Sequence, residues 1–85
     1  MIEPMLVLST GNLTSDTCNR WMRSADHAVF EKGDYGWFVY VTEPGDCDTP
    51  PDLADCMAFA RRRRCVWIMF DRDAPAPPGL PNYDW

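Results

Sequence analysis

Five carboxylates, Glu43, Asp46, Asp48, Asp52 and Asp55, fall within thirteen residues that contain no Lys or Arg. Carboxylates at close spacing can bind a cation, exchange protons with a substrate, or present a row of negative charge to a basic surface. Asp46 and Asp48 have the spacing that opens a calcium loop, but the glycine and closing glutamate of an EF-hand are absent. No metal is expected there. A belt of acids along a rigid edge can instead imitate a phosphate backbone and dock on a basic protein surface. These five are the expected partner-binding residues; the plainer alternative is a solvated loop with acids at a helix N-terminus.

Other reactive side chains are few. Cys18, Cys47, Cys56 and Cys65 show no two-residue gap of the zinc-knuckle or redox kind, and His27 is the one histidine. Cys18 and Cys56 sit on apolar helical stripes and read as buried thiols, whereas Cys47 sits in a loop. Acids near Cys47 raise its pKa rather than lower it. With no nucleophile partner for His27, no phosphate loop and no nucleophile elbow, the chain is not expected to be an enzyme or to carry a cofactor. Arg61 to Arg64 close an apolar-periodic stretch, where cations complement a helix C-terminus.

The elements that position these groups follow from periodicity. Met5-Leu6-Val7-Leu8 reads as a first strand. Thr14, Cys18, Trp21, Met22 and Ala25 recur at helical spacing up to about Ser24–Asp26. Strand two is 27–31, and strand three is 36–41, apolar on both parities and therefore an inner strand. Thr49 as cap, with Pro50, Pro51 and Asp52 after it, opens a helix carrying Leu53, Cys56, Met57 and Ala60 on one face. Strand four, 65–70, is again apolar on both parities. The order β-α-β-β-α-β predicts an α+β fold of ferredoxin-like, split-βαβ type. It would be a four-stranded antiparallel sheet in order 4-1-3-2, with two helices on one face.

Residues 1–73 make one domain and residues 74–85 a proline-rich tail expected to pack on it. Whichever parity faces the helices, aromatic residues remain on the other side of the sheet. Phe38, Tyr40, Trp67 and Met69 form the candidate open face. The tail, with Leu80, Tyr83 and Trp85, is the expected cover, a second copy the other.

Composition narrows the partner. Of 85 residues, 46% are hydrophobic, enough for a core, and the net charge is −5. That charge opposes binding to nucleic acid. No apolar run nears the ~18 residues of a membrane span, and the N-terminus has no export signal, so a cytoplasmic setting is expected. Monomer or weak homodimer is the expected state.

Two resemblances bear on function. The run 32–40, Lys-Gly-Asp-Tyr-Gly-Trp-Phe-Val-Tyr, resembles the strand-three octapeptide of RNA-recognition motifs with one residue inserted, and would offer Tyr35 and Trp37 for base stacking. Strand one lacks that family's aromatic. Leu6-Val7-Leu8-Ser9-Thr10, Asn12-Leu13-Thr14 and the run from Tyr35 to Val41 are similar to a family of small bacterial proteins of unknown function. That resemblance implies plasmids, prophages and other mobile elements as the setting. In size and acidity the chain also resembles anti-CRISPR proteins. The expected function is a non-enzymatic inhibitor of a host protein or complex, docking through its acidic belt. The alternative is a regulatory, RNA- or peptide-binding module using the open aromatic face.

Overall fold

The computed structural model describes residues 2–24, 29–33, 36–42, 49–75 and 77–83. Strand β1 (Met5–Ser9) leads into a 3-10 turn at Thr10–Asn12. Ser9 caps it: its Oγ accepts from the Gly11 N–H at 3.0 Å, while its own N–H donates to Asn12 Oδ1 at 3.2 Å. The capping box thus satisfies donors at a sharp chain reversal. The next segment is helical over 15–24 and includes a π-helix at Thr17–Trp21 that runs into α1 (Met22–Ser24). Strands β2 (Val29–Lys32) and β3 (Gly36–Tyr40) follow, then α2 (Pro51–Arg62) and β4 (Trp67–Asp71).

The sheet is mixed, in order β1-β4-β3-β2. β1 and β4 are parallel, while β4 with β3 and β3 with β2 are antiparallel. This corrects the expected antiparallel 4-1-3-2 sheet. The reason lies in β4: Ile68 and Phe70 are fully buried on one side and Trp67 and Met69 half-buried on the other, so β4 needs neighbours on both edges. β1 takes the edge instead, with Met5 and Val7 exposed. The expectation of two comparable helices is also corrected. Among the described residues only α2 is a full-length α-helix, and half of the first helical segment is π-helical.

α2 starts one residue later than the capping pattern predicts. Pro50, not Thr49, occupies the N-cap, without a side-chain bond, and Pro51 the first turn. Proline there is preorganised and lacks the N–H that a helix start would leave unpaired. The apolar face of α2, Leu53, Cys56, Met57 and Ala60, is buried as its spacing requires. It packs with Leu8, Val39, Ile68 and Phe70 in one core on that side of the sheet.

The described part of the tail does not lie across the other side. The Tyr83 N–H donates to the Gly11 carbonyl at 2.7 Å, and Asn12 Nδ2 donates to the Pro81 carbonyl at 2.9 Å. Leu80 packs against the core, and Gly79 sits so close to the Phe59 ring that a Cβ there would be 3.3 Å from it. The described part of the tail therefore packs on the 3-10 turn and α2 and not, as expected, across the open sheet. Trp85 lies outside the described residues.

Candidate functional site: an open apolar sheet face and a polar cavity behind it

Strand alternation divides the sheet's side chains cleanly. Leu8, Trp37, Val39, Ile68 and Phe70 point to the helices and are buried. On the opposite side, register places Met5, Trp67 and Tyr40 in one row and Val7, Met69, Phe38 and Phe30 in the next. The candidate residues Phe38, Tyr40, Trp67 and Met69 thus share one face. Trp67 is its centre: its ring lies 5.2 Å from Tyr40, edge to face, and 6.0 Å from Phe30. Such T-shaped and tilted pairs are favoured by the ring quadrupoles and hold the rings in fixed orientation.

Four members are substantially open: Phe30 at 56%, Val7 at 47%, Met5 at 43% and Tyr40 at 42%. For side chains of this size those fractions leave roughly 350 Å² of apolar surface from these four alone, comparable to the largest patch of an ordinary monomer, which is often functional. Met5, Phe30, Phe38 and Trp67 also line a shallow apolar depression in this face. Met5, Val7 and Phe30 were not singled out in the sequence, although the apolar run of β1 fills both parities and so signals a second covered face.

The acidic belt is distributed differently. Asp52 is buried at 8% exposure. Its Oδ2 accepts from the Thr14 N–H at 2.8 Å and the Thr14 hydroxyl at 3.2 Å, and its Oδ1 accepts from the Thr17 hydroxyl at 2.9 Å. That carboxylate joins the start of α2 to the start of the π-helical segment and is spent inside the chain. Asp55 is exposed. Glu43, Asp46 and Asp48, with Cys47, His27 and Tyr35, lie outside the described residues. The arginine run reaches no carboxylate among the described residues. Arg61 donates to the Thr42 carbonyl at 2.7 Å, and the Arg63 guanidinium lies 3.5 Å from the Phe59 ring centre.

On the helix side, where β1 and β4 end and β3 begins, is a polar cavity of about 490 Å³. Ser9, Thr10 and Gly11 come from the end of β1, Cys18, Asn19 and Arg23 from the helical segment, and Glu31 and Trp37 from paired positions on β2 and β3. Arg72 and Tyr83 close it from the far side. Gly36 allows it: a Cβ at that position would collide with the Phe70 carbonyl oxygen, so only glycine lets β3 start against β4.

The two buried thiols, Cys18 and Cys56, are unsuited to attack. Burial pushes the Cys18 thiol up, outweighing a hydrogen bond from Trp37 and the charge of Arg23. Burial, with Asp52 and Asp55 nearby, pushes Cys56 up to about 12. Both stay protonated at neutral pH. No group of three His, Cys, Asp or Glu side chains among the described residues could hold a metal ion. No helix among them is long and apolar enough to cross a membrane.

Comparison with known proteins gives one match. Residues 5–85 match the C-terminal domain of a family of unknown function, DUF5983. No curated protein and no solved structure matches the chain.

Proposed function

The chain belongs to the DUF5983 C-terminal-domain family, and we propose that it is a non-enzymatic protein-binding module that docks through its open sheet face. The reading rests on one observation above the others: two rows of apolar side chains, one across all four strands and one across three, lie on the sheet opposite the helices, and the described part of the tail packs elsewhere. Burying Phe30, Val7, Met5 and Tyr40 would remove their apolar surface from water at about 25 cal/mol per Å². The rigid Trp67 cluster supplies an aromatic anchor that needs little further ordering. The occupant is a partner protein whose apolar patch is flanked by basic residues. A net charge of −5 attracts such a surface and opposes a second copy of the same chain.

Acidic docking, as in an anti-CRISPR-like inhibitor seated on a phosphate-binding channel, stands second. It retains exposed Asp55 and the belt residues Glu43, Asp46 and Asp48, and loses Asp52 to the interior.

The test is capture from lysate of the native host by immobilised wild type, Phe30→Asp, Tyr40→Asp, and a combined Glu43→Gln, Asp46→Asn, Asp48→Asn, Asp55→Asn variant. The reading expects a captured protein that is lost with either aromatic variant and retained, more weakly, by the acid-neutralised one. Capture indifferent to Phe30→Asp and Tyr40→Asp but abolished by acid neutralisation makes the acidic belt the interface. A concentration-dependent dimer by light scattering that Phe30→Asp dissolves makes the face self-associating.

A further inference from the structure

The cavity on the helix side plays no part in that docking, yet it has the attributes of a small-ligand site. Its volume of about 490 Å³ lies in the range of sites that enclose a small organic molecule. It opens at the carboxyl ends of the two parallel strands, where α/β sheets leave a crevice between strand ends and the following connections. Its walls are held in place without a ligand. The Tyr83 N–H is bonded to Gly11 and the Pro81 carbonyl to Asn12, so the tail segment that contributes Tyr83 is tied to the turn after β1.

Among the described residues, the charges lining the cavity are two guanidiniums, Arg23 and Arg72, and one carboxylate, Glu31, in a protein of net charge −5. Within low-dielectric walls such a local excess of positive charge concentrates anions. Arg23 lies 5.8 Å over the Trp37 ring and takes part in no ion pair among the described residues. A guanidinium fork matches a carboxylate or phosphate with two parallel hydrogen bonds. Trp37, buried, and Tyr83, half-buried, add aromatic surface.

We propose that this cavity binds a small planar aromatic anion, its carboxylate or phosphate held by Arg23 and Arg72 and its ring set against Trp37 and Tyr83. Glu31 contributes selectivity. It accepts a hydrogen bond from a ring N–H or amine and repels a second phosphate group. Together with the negative charge of the remaining surface, that disfavours polyphosphates and nucleic acid strands, and a monoanionic or monophosphate head is preferred.

Two probes separate the head groups: adenosine monophosphate for a phosphate and indole-3-acetate for a carboxylate, each titrated calorimetrically into the full chain. Adenosine and inorganic phosphate serve as the halves. Saturable binding of at least one probe is expected, at least tenfold tighter than either half, and weakened at least tenfold by Arg23→Gln. Arg23 is exposed, so that variant folds, which circular dichroism checks; Trp37→Phe, which keeps an apolar ring, should weaken binding with no loss of fold. Failure of both probes to bind overturns the proposal. So does binding unchanged in both Arg23→Gln and Arg72→Gln, and inorganic phosphate binding as tightly as the monophosphate overturns the aromatic part.

Discussion

Replacing Asp52 by Ala removes the acceptor that joins α2 to the π-helical segment. Three donors lose their partner: the Thr14 N–H at 2.8 Å, the Thr14 hydroxyl at 3.2 Å and the Thr17 hydroxyl at 2.9 Å. Bonds to a charged group contribute ~1.5–3 kcal/mol each, but three bonds on one carboxylate act as a unit and do not add. The two hydroxyls can turn to each other, since their oxygens are already 3.1 Å apart. The Thr14 N–H has no such replacement, and Thr17, at 4% exposure, is poorly reached by water. One charged bond lost and one donor left partly unsatisfied amount to about 3 kcal/mol. Losing a negative charge from the first turn of α2 adds a few tenths, on the order of 0.3–1 kcal/mol. For a domain of this size each kcal/mol moves Tm by ~4–8 °C, so a fall of roughly 13–32 °C is expected. Thermal unfolding followed by circular dichroism measures it, with Asp55→Ala as the control. Asp55 is exposed one turn along and its loss should cost no more than ~0.5 kcal/mol. Equal Tm for the two variants, both near wild type, would refute the assignment of Asp52 to the fold.

Two further outcomes test the core. Cys56 has its pKa raised to about 12 from 9.0, so the unfolded chain releases that proton first as pH rises. Its contribution to stability is full below pH 9 and is lost between there and about pH 12; denaturant unfolding should show about 1 kcal/mol lost by pH 10, and less in Cys56→Ala. Gly36→Ala sets a methyl group against the Phe70 carbonyl, and the backbone φ of +156° adds strain, so the variant should be recovered unfolded or lose more than ~4 kcal/mol in the same assay.

Much of the fold was legible because periodicity responds directly to burial. The α2 stripe and the two-sided apolar character of β3 and β4 are sequence features that the structure uses directly. Those same features argued for β4 as an inner strand. The ferredoxin-like order put it at the edge, because a β-α-β-β-α-β succession fits more than one pairing and local sequence does not report which strands are neighbours. The π-helical turns after Thr14 were not legible either, since Thr14, Cys18 and Trp21 match an ordinary helical repeat. Asp52 read as one more surface acid because its partners, Thr14 and Thr17, lie far away in the chain. The same holds for the cavity. Arg23 and Arg72 meet only when the tail and the strand ends are in place, and no spacing foretells that. The aromatic face, by contrast, could be read from alternation alone.

Alternation also makes the two proposed sites separable. On β3, Trp37 belongs to the cavity while Phe38 and Tyr40, of the opposite parity, belong to the open face. A sheet with one strand layer between them blocks direct contact between the two occupants. Energetic coupling would then require an element with two discrete arrangements. β3 is pinned on both edges by β2 and β4, and Gly36 allows no displacement toward Phe70. Phe30→Asp should therefore abolish partner capture and leave the affinity for the bound aromatic anion within about twofold, a coupling near zero on the scale of 1.4 kcal/mol per tenfold. Arg23→Gln should do the reverse. If either variant removes both activities while circular dichroism shows it folded, the face and the cavity form one continuous interface, and the assignment of separate occupants to them fails.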